Sequence, residues 1–399
     1  MEAYIYWSWP TMLLYISMGV IPSLLIKKAS RIKHNKITTL RVARERITLF
    51  SNKTWLYFFA WFYMVFFATA RLADGIYGGA DSVGYIRDFL NSENLVPSFI
   101  NALTIQNYRE PGYMVLVKFI RFLIVDNQYV YFAVVYGFVA FIFLLFVSKF
   151  SKELDNYSIL PLIIYPYILS FNTLRETLAI CFVLLGVLCL DKNNNYLRSY
   201  ICMFIAGTIH ITAWLYITIP VMYQLLNSSW VKRKAEKLSK KKIISLLIVS
   251  IVGCFIAIKF VMPFVMSSHF HHYVKEESMN VSGLVRYSLI AIMIICFFNK
   301  LIRKYPSHYI LYFLAFSDLI LWPFTSAVNF WRADEYFAIA RAIVWCDIGQ
   351  LLAEKYMRNN IGFAKFIQFI LAMAWLTYRI SQTYFTSSLM PYVFAFFNI

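Results

Sequence analysis

Charged residues are scarce in this chain, and no polar segment is long enough to form a soluble domain. Of its 399 residues, 15% are charged, whereas 60% are hydrophobic and 19% are aromatic. The sequence also lacks a Gly-rich phosphate loop, a G-x-S-x-G motif and a DxD-like metal and nucleotide signature. These absences exclude a soluble protein and leave no evident pocket for a nucleotide-sugar donor.

Cysteine is rare too, and its placement excludes a disulfide framework and a zinc site. All six cysteines lie in apolar stretches, which predicts small core residues. Three histidines within residues 268–277 have no matching frame of carboxylates or cysteines, so the sequence predicts no metal site and no cofactor. The cysteines are Cys181, Cys189, Cys202, Cys254, Cys296 and Cys346.

Apolar runs of membrane-spanning length recur from end to end. Helices satisfy their own backbone hydrogen bonds in lipid, so these runs predict an all-α polytopic integral membrane protein. We expect a single transmembrane domain over residues 1–399 with about 12 spans. The predicted spans are 4–26, 54–70, 129–148, 158–171, 176–190, 198–210, 211–227, 243–266, 284–299, 309–324, 337–352 and 366–385.

The net charge of +18 is concentrated in alternate loops. Six loops, with Arg198 at the edge of one of them, carry 26 of the 38 Lys and Arg residues. The positive-inside rule makes these loops cytoplasmic and places both termini outside, so the charge indicates topology rather than nucleic-acid binding. The loops are 27–53, 149–157, 191–197, 228–242, 300–308 and 353–365.

The polar interruption at 71–128 then lies on the outer face, where we expect it to form part of a site. Its segment 112–125 has too few apolar residues to span a bilayer, and Lys118 and Arg121 lie on one helical face. The pattern predicts an interfacial or re-entrant helix. On the inner face, basic residues at helical spacings in 27–53 predict contact with anionic lipid.

Charged and titratable side chains from four separate parts of the sequence share the depth of the outer face. Multi-helix membrane proteins build their sites by convergence of this kind. The set is Asp74, Asp81, Arg87, Asp88, Arg109, Glu110, Arg175, Glu176, His210, Arg332, Asp334, Glu335 and Arg341.

Individual members of this set have more than one interpretation. Arg175, in FNTLRETLAI, can snorkel to the interface or bind phosphate or pyrophosphate with its guanidinium. His210, in AGTIHITAW, can act as a general base or close a turn by a hydrogen bond to a carbonyl. Arg341 can join an anion site or pair with Asp318 or Asp347.

An ordered set of short patterns resembles a known family. The patterns are GADSVGYIRDFL, REPGYMVLVKFI, LRETLAI, GTIHITAW and FWRADEYFAIAR, and together they resemble the EpsG-like, Wzy-type polymerases of bacterial O-antigen, capsule and exopolysaccharide. One departure is Arg175-Glu176, where the family commonly has Arg-Gln. The resemblance implies a metal-independent, GT-C-like membrane glycosyltransferase.

The reaction implied by the resemblance joins undecaprenyl-diphosphate-linked oligosaccharide units at the periplasmic face of the bacterial inner membrane. The growing glycan moves from its lipid diphosphate to the non-reducing end of a new lipid-linked unit. The implied partners are these donor and acceptor lipids, the membrane, a chain-length regulator and a flippase, with no nucleic acid. The implied roles are diphosphate binding by Arg109, Arg175, Arg332 and Arg341, catalysis by Arg175 with His210 or Glu110 as base, and sugar contact by Asp81, Tyr85 and Tyr113.

Other outer-face or membrane functions remain alternatives at this stage. A flippase for lipid-linked oligosaccharides is expected to line a cavity through the membrane depth, often with related halves, and no similarity between halves is visible. An O-antigen ligase shares the Arg and His chemistry. An acyltransferase is expected to place a buried His in a tunnel open to the cytoplasm, whereas His210 is predicted at the outer edge.

Overall fold

The computed structural model describes residues 7–32, 37–42, 45–92, 110–123, 127–150, 159–193, 195–227, 281–327, 335–384 and 387–395, with isolated helical residues between 245 and 256. The described elements, in chain order, are α1 (Trp9–Ser30), β1 (Ile37–Val42), β2 (Glu45–Ser51), α2 (Asn52–Thr69), α3 (Ser82–Leu90), α4 (Pro111–Leu123), α5 (Gln128–Phe150), α6 (Ile159–Leu169), α7 (Leu174–Asn193), α8 (Tyr196–Ile209), a 3₁₀ helix (Ile211–Ile217), α9 (Thr218–Asn227), α10 (Val281–Lys304), α11 (Tyr309–Ala327), α12 (Ala338–Tyr356) and α13 (Ile361–Thr383).

Helices occupy nearly all the predicted spans that fall within the described residues, and the prediction for 243–266 lies largely outside them. Four helical segments of the described part are long and apolar enough to cross a bilayer, namely Trp9–Ser30, Gln128–Phe150, Glu335–Tyr356 and Ile361–Thr383. The chain is therefore a helical membrane protein. The number of twelve spans stays a prediction.

The basic run 27–53 contains two strands as well as the end of a helix. Helix α1 continues through its first residues, but β1 and β2 form an antiparallel hairpin in which Leu40 pairs with Ile47 and Val42 with Glu45. This part of the chain, ITTLRV followed by ERITLFS, is rich in Thr, Ile and Val, which pack well on a pleated surface. The basic residues of the two strands therefore do not lie at helical positions, and contact of this run with anionic lipid stays a prediction.

Helix α4 is the predicted helix within the outer loop. Its 13 residues extend about 20 Å at the usual helical rise, which is less than the roughly 30 Å hydrocarbon core. Arg121 donates hydrogen bonds to the carbonyls of Phe89 and Leu90 at the end of α3, where a cation also complements the helix dipole. The Arg121 side chain of α4 therefore holds the end of α3 in place.

Contacts divide the chain into two compact units. The first unit comprises 1–184, 208–211 and 365–399, and the second comprises 185–207 and 212–364. In the first unit α1 packs on α2 and α6, and α2 packs on α5. In the second unit α10, α11 and α12 pack on one another. The prediction of a single transmembrane domain stays a prediction.

The second unit contains a buried polar cluster of Tyr312 in α11, Asp347 in α12 and His308 in the 3₁₀ turn Pro306–His308. Tyr312 donates a hydrogen bond of 2.9 Å to Asp347 Oδ2, and His308 Nδ1 lies 2.8 Å from the same oxygen. All three side chains are buried, and the two contacts give partners to Asp347 Oδ2, whose burial alone would be costly.

A buried guanidinium organises the segment that follows α2. Arg71 donates hydrogen bonds to the carbonyls of Ala68 and Gly78 and to the Tyr136 hydroxyl. Its guanidinium carbon also lies 4.3 Å from the centroid of the Phe171 ring. Gly78 and Gly79 have positive φ, and a Cβ at Gly79 would meet the backbone of Phe171. These contacts hold the turn against the loop between α6 and α7.

The C-terminal segment 387–395, named here the strap, is bonded to the same turn through its backbone. The Gly79 N–H donates to Ser388 O at 3.1 Å, and the Leu72 N–H donates to Val393 O at 2.7 Å. Tyr15 of α1 donates through its hydroxyl to Leu389 O of the strap. The start of α1, the residues after α2 and the strap thus lie together.

Candidate active site

Glu110 lies at the centre of the residues that the sequence singled out. Arg175 Nη1 lies 2.7 Å from Glu110 Oε2, and His210 Nδ1 is hydrogen-bonded to Glu110 Oε1. The Glu110 side chain is 10% exposed and that of His210 is 13% exposed, whereas Arg175 is 43% exposed. The carboxylate is therefore enclosed by its two partners, while the guanidinium also reaches open space.

Local sequence explains how these three side chains meet. Pro111 and Gly112 follow Glu110 directly, and proline is well suited to the first turn of α4. A Cβ on Gly112 would lie 2.8 Å from the Cβ of Thr208, so only glycine allows this close approach to the end of α8. The approach brings Glu110 against His210, the residue that follows α8.

The electrostatics of Glu110 favour its ionised form. Burial raises the pKa of this carboxyl, but the hydrogen bond and charge of His210, the charge of Arg175 and the backbone N–H of Ile211 together outweigh burial and bring the pKa below its ordinary value. A carboxylate held in this way is a weak proton acceptor. Its position suits it to orient the imidazole and the guanidinium.

Arg175 is the second residue of α7, and aromatic rings surround its guanidinium. Its guanidinium carbon lies 5.8 Å from the Tyr85 ring centroid and 5.6 Å from that of Tyr113, which are cation–π distances. Tyr113 is fully buried, and its hydroxyl lies 3.1 Å from that of Tyr131. The rings hold the arginine and leave part of it exposed.

The start of α7 and helix α3 are locked together by the Tyr85 hydroxyl. This hydroxyl donates to Asn172 O at 2.8 Å and accepts from the Leu174 N–H at 3.0 Å. The side-chain oxygen of Asn172 in turn accepts a hydrogen bond of 2.9 Å from the Asp81 N–H. The register between α3 and Arg175 is therefore fixed by direct bonds.

A cavity of about 370 Å³ opens where α3 meets Arg175, and charged groups of both signs line it. A Cβ at Gly84, in the middle of the α3 face, would meet nothing within 4 Å, so this glycine leaves the floor of the cavity open. The volume is at the lower end of the range for small-molecule pockets, about 300–1,000 Å³. The lining residues are Ala80, Asp81, Gly84, Tyr85, Arg87, Asp88 and Arg175.

The structure therefore brings together most of the predicted site residues that it describes. Glu110, Arg175 and His210 are in direct contact, and Asp81 and Tyr85 share the cavity with Arg175. Of the other predicted residues, Tyr113 supports the arginine from within the core. Arg341 belongs to the second unit, and Arg109 and Arg332 lie outside the described residues.

Asp88 is a cavity residue to which the sequence assigned no specific role. The available signal was its spacing from Asp81, because residues seven apart share one face of a helix.

Within the described residues no group of three or more His, Cys, Asp or Glu side chains is arranged to hold a metal ion.

The fold and the site define a class: a polytopic helical membrane protein with an arginine, oriented by a carboxylate, at a charged cavity. The sequence model of the EpsG family matches residues 54–394, which is most of the chain. The chain belongs to the EpsG family, the family of Wzy-type polysaccharide polymerases. No curated protein and no solved structure matches it. Family membership supports a role as a membrane polysaccharide polymerase acting on lipid-linked oligosaccharides.

Proposed function

We propose that this protein polymerises undecaprenyl-diphosphate-linked oligosaccharide units at the periplasmic face of the bacterial inner membrane, without a metal ion. The growing glycan is transferred from its lipid diphosphate to the non-reducing end of a new lipid-linked unit. The observation that carries the proposal is Arg175, which is oriented by the ionised Glu110 and lines the charged cavity.

Arg175 has the properties that a diphosphate leaving group requires. A guanidinium binds phosphate oxygens in a bidentate way, and its fixed position provides positive charge without reorganisation during the reaction. The residue also lies in the first turn of the 20-residue helix α7, whose dipole favours an anion at this end. Metal independence is part of the proposal because this charge performs the task of a divalent cation.

The neighbours of Arg175 have supporting roles in this proposal. Glu110 orients the guanidinium, and His210 holds Glu110 through Nδ1. Asp81 and Tyr85 line the cavity and contact the sugar, while Tyr113 supports the face of Arg175. Binding of the second phosphate by Arg109, Arg332 or Arg341 stays a prediction from the sequence.

The test is the length of the glycan made by cells that carry single substitutions. In a strain lacking the chromosomal copy, Arg175→Ala is expected to give single, unpolymerised units, because loss of one such donor typically lowers the rate by about 10²–10³. Arg175→Lys keeps the positive charge but loses the bidentate hydrogen bonding of the guanidinium, so a partial defect is expected. Arg198→Ala, at an exposed arginine predicted on the other face, is the matched control and should give wild-type lengths.

The accumulated product separates the candidate functions. Single units on the outer face support polymerisation, whereas units retained on the cytoplasmic face indicate a flippase. Lipid A core that carries no unit at all indicates a ligase. Wild-type chain lengths in Arg175→Ala would contradict the proposed role of this arginine.

A further inference from the structure

The cavity beside Arg175 contains two carboxylates on the same helix. Asp81 is at the start of α3 and Asp88 is near its end, and both line the cavity with Gly84 between them. The neighbouring face of α3, about 100° round the helix, buries Ser82 and Phe89. Helix α3 therefore presents an acidic face, with an open floor, to the space that Arg175 borders.

Glu110, which contacts Arg175, and Asp88, which lines the cavity with it, differ in how their oxygens are used. Both oxygens of Glu110 are engaged, one with His210 and the other with Arg175. No described residue donates a hydrogen bond to the carboxylate of Asp88, which is only half-buried and borders the cavity. Of these two carboxylates, Asp88 is the one that can receive a proton from a molecule in the cavity.

We propose that Asp88 is the general base of the reaction, the group that removes the proton from the acceptor hydroxyl. This assignment rests on the polymerase function proposed above. The ligand it implies at this position is the non-reducing sugar of the acceptor unit, whose hydroxyl must lie between the carboxylate and the donor held by Arg175.

The bonding changes in this step balance without any further reactant. The proton of the acceptor hydroxyl passes to an Asp88 oxygen, and the hydroxyl oxygen forms a bond to the anomeric carbon of the donor. The bond from that carbon to the diphosphate oxygen breaks, and its electron pair leaves with the diphosphate beside Arg175. Attack opposite the leaving group inverts the anomeric centre.

The charges that face Asp88 suit this role. Partial burial raises the pKa of Asp88 above its ordinary value, and Glu110 raises it further, while Arg175 and Arg87 lower it. The net shift is upward, towards the neutral range in which a general base is most effective. Arg175 thus binds the leaving group and moderates the basicity of the acid beside it.

The experiment measures polymerisation by purified protein in detergent, with lipid-linked units extracted from a strain that lacks the protein. Asp88→Asn keeps the size of the side chain and removes its basicity, so kcat should fall by about 10²–10⁴ with little change in KM. The wild-type rate should fall as Asp88 becomes protonated at acidic pH. The pH profile of Asp88→Asn should lack this fall at acidic pH, whereas Asp88→Glu should keep the fall at a reduced overall rate.

Two further variants make the assay specific. Asp81→Asn should raise KM more than it lowers kcat, because this carboxylate contacts sugar without accepting the proton. Asp74→Asn should leave both constants unchanged, since the side-chain oxygen that accepts from the Ile76 and Tyr77 N–H groups is kept and this residue lies outside the cavity.

The outcomes distinguish this assignment from the proposed function. If wild-type protein makes no polymer from these units, the polymerase proposal itself fails. If wild-type protein is active and Asp88→Asn retains more than half of its rate, Asp88 is not the base. If the fall in rate at acidic pH persists in Asp88→Asn and disappears in His210→Gln, the proton transfer belongs to the imidazole instead.

Discussion

Substitution of Glu110 by Gln tests whether this residue acts by positioning Arg175 or by accepting a proton itself. The amide keeps the shape of the side chain but removes the charge that faces the guanidinium at 2.7 Å. An exposed ion pair contributes up to about 1 kcal/mol, breaking a fully buried one costs about 3–5 kcal/mol, and the partial exposure of Arg175 places this pair between these limits, at about 1.5–3 kcal/mol. Since about 1.4 kcal/mol corresponds to a factor of ten, the polymerisation rate should fall about 10–100-fold.

The decisive measurement is a double-mutant cycle of Glu110→Gln and Arg175→Ala. If Glu110 acts through Arg175, its substitution has nothing left to disturb once the arginine is absent, and the double variant should be no slower than Arg175→Ala alone. If Glu110 were an independent base, the two defects would multiply. Rates are read from ladder formation by equal amounts of folded protein.

A matched control comes from a second carboxylate paired with a cation. Glu354 contacts Lys304 in the second unit, and its side chain is 39% exposed. Glu354→Gln therefore removes an ion pair of similar kind at a residue to which the proposed mechanism gives no role, and the rate should stay within about twofold of wild type. Multiplicative losses in the Glu110 and Arg175 cycle would refute the positioning role.

Two other predictions concern metal and pH. Polymerisation should persist in EDTA, and full loss in EDTA that added magnesium restores would falsify the arginine mechanism. His210→Ala should lower the rate about tenfold or more because Glu110 loses its partner at Oε1, whereas His269→Ala and His272→Ala should leave the rate unchanged. The pKa of Glu110 is lower in the folded protein than its ordinary 4.5, so its interactions stabilise the fold above that pH and are lost as pH falls through the lowered value. The difference in Tm between wild type and Glu110→Gln should therefore shrink on acidification, and a difference that grows instead would show that the sign is wrong.

Sequence reasoning succeeded where a pattern has one physical interpretation. Long apolar runs predict helices in lipid, and the helix expected within 112–125 is present as the 13-residue α4, whose interfacial or re-entrant placement stays a prediction. The convergence of Glu110, Arg175 and His210 was also accessible, because polar residues at the same predicted depth had to find partners.

The roles within the site were not accessible from the sequence, because they depend on which atoms are already bonded. Glu110 and Asp88 are both outer-face acids, and only the contacts show that one is enclosed and the other borders the cavity. Tyr113 was expected to contact sugar, yet it packs behind Arg175. The hairpin over 37–51 was missed because basic residues at helical spacings outweighed the β-branched residues between them.

The strap has a consequence for the order in which the active site can mature during synthesis. The turn that leads into α3 is made early, but the backbone groups of Leu72 and Gly79 bond to Val393 and Ser388, which the ribosome adds about three hundred residues later. Until then these donors have no strap to bond, and the helix with Asp81 and Asp88 lacks that support. The proposed site is thus expected to lack this support through most of the synthesis of the chain, and activity is expected only after residues 387–395 have been made.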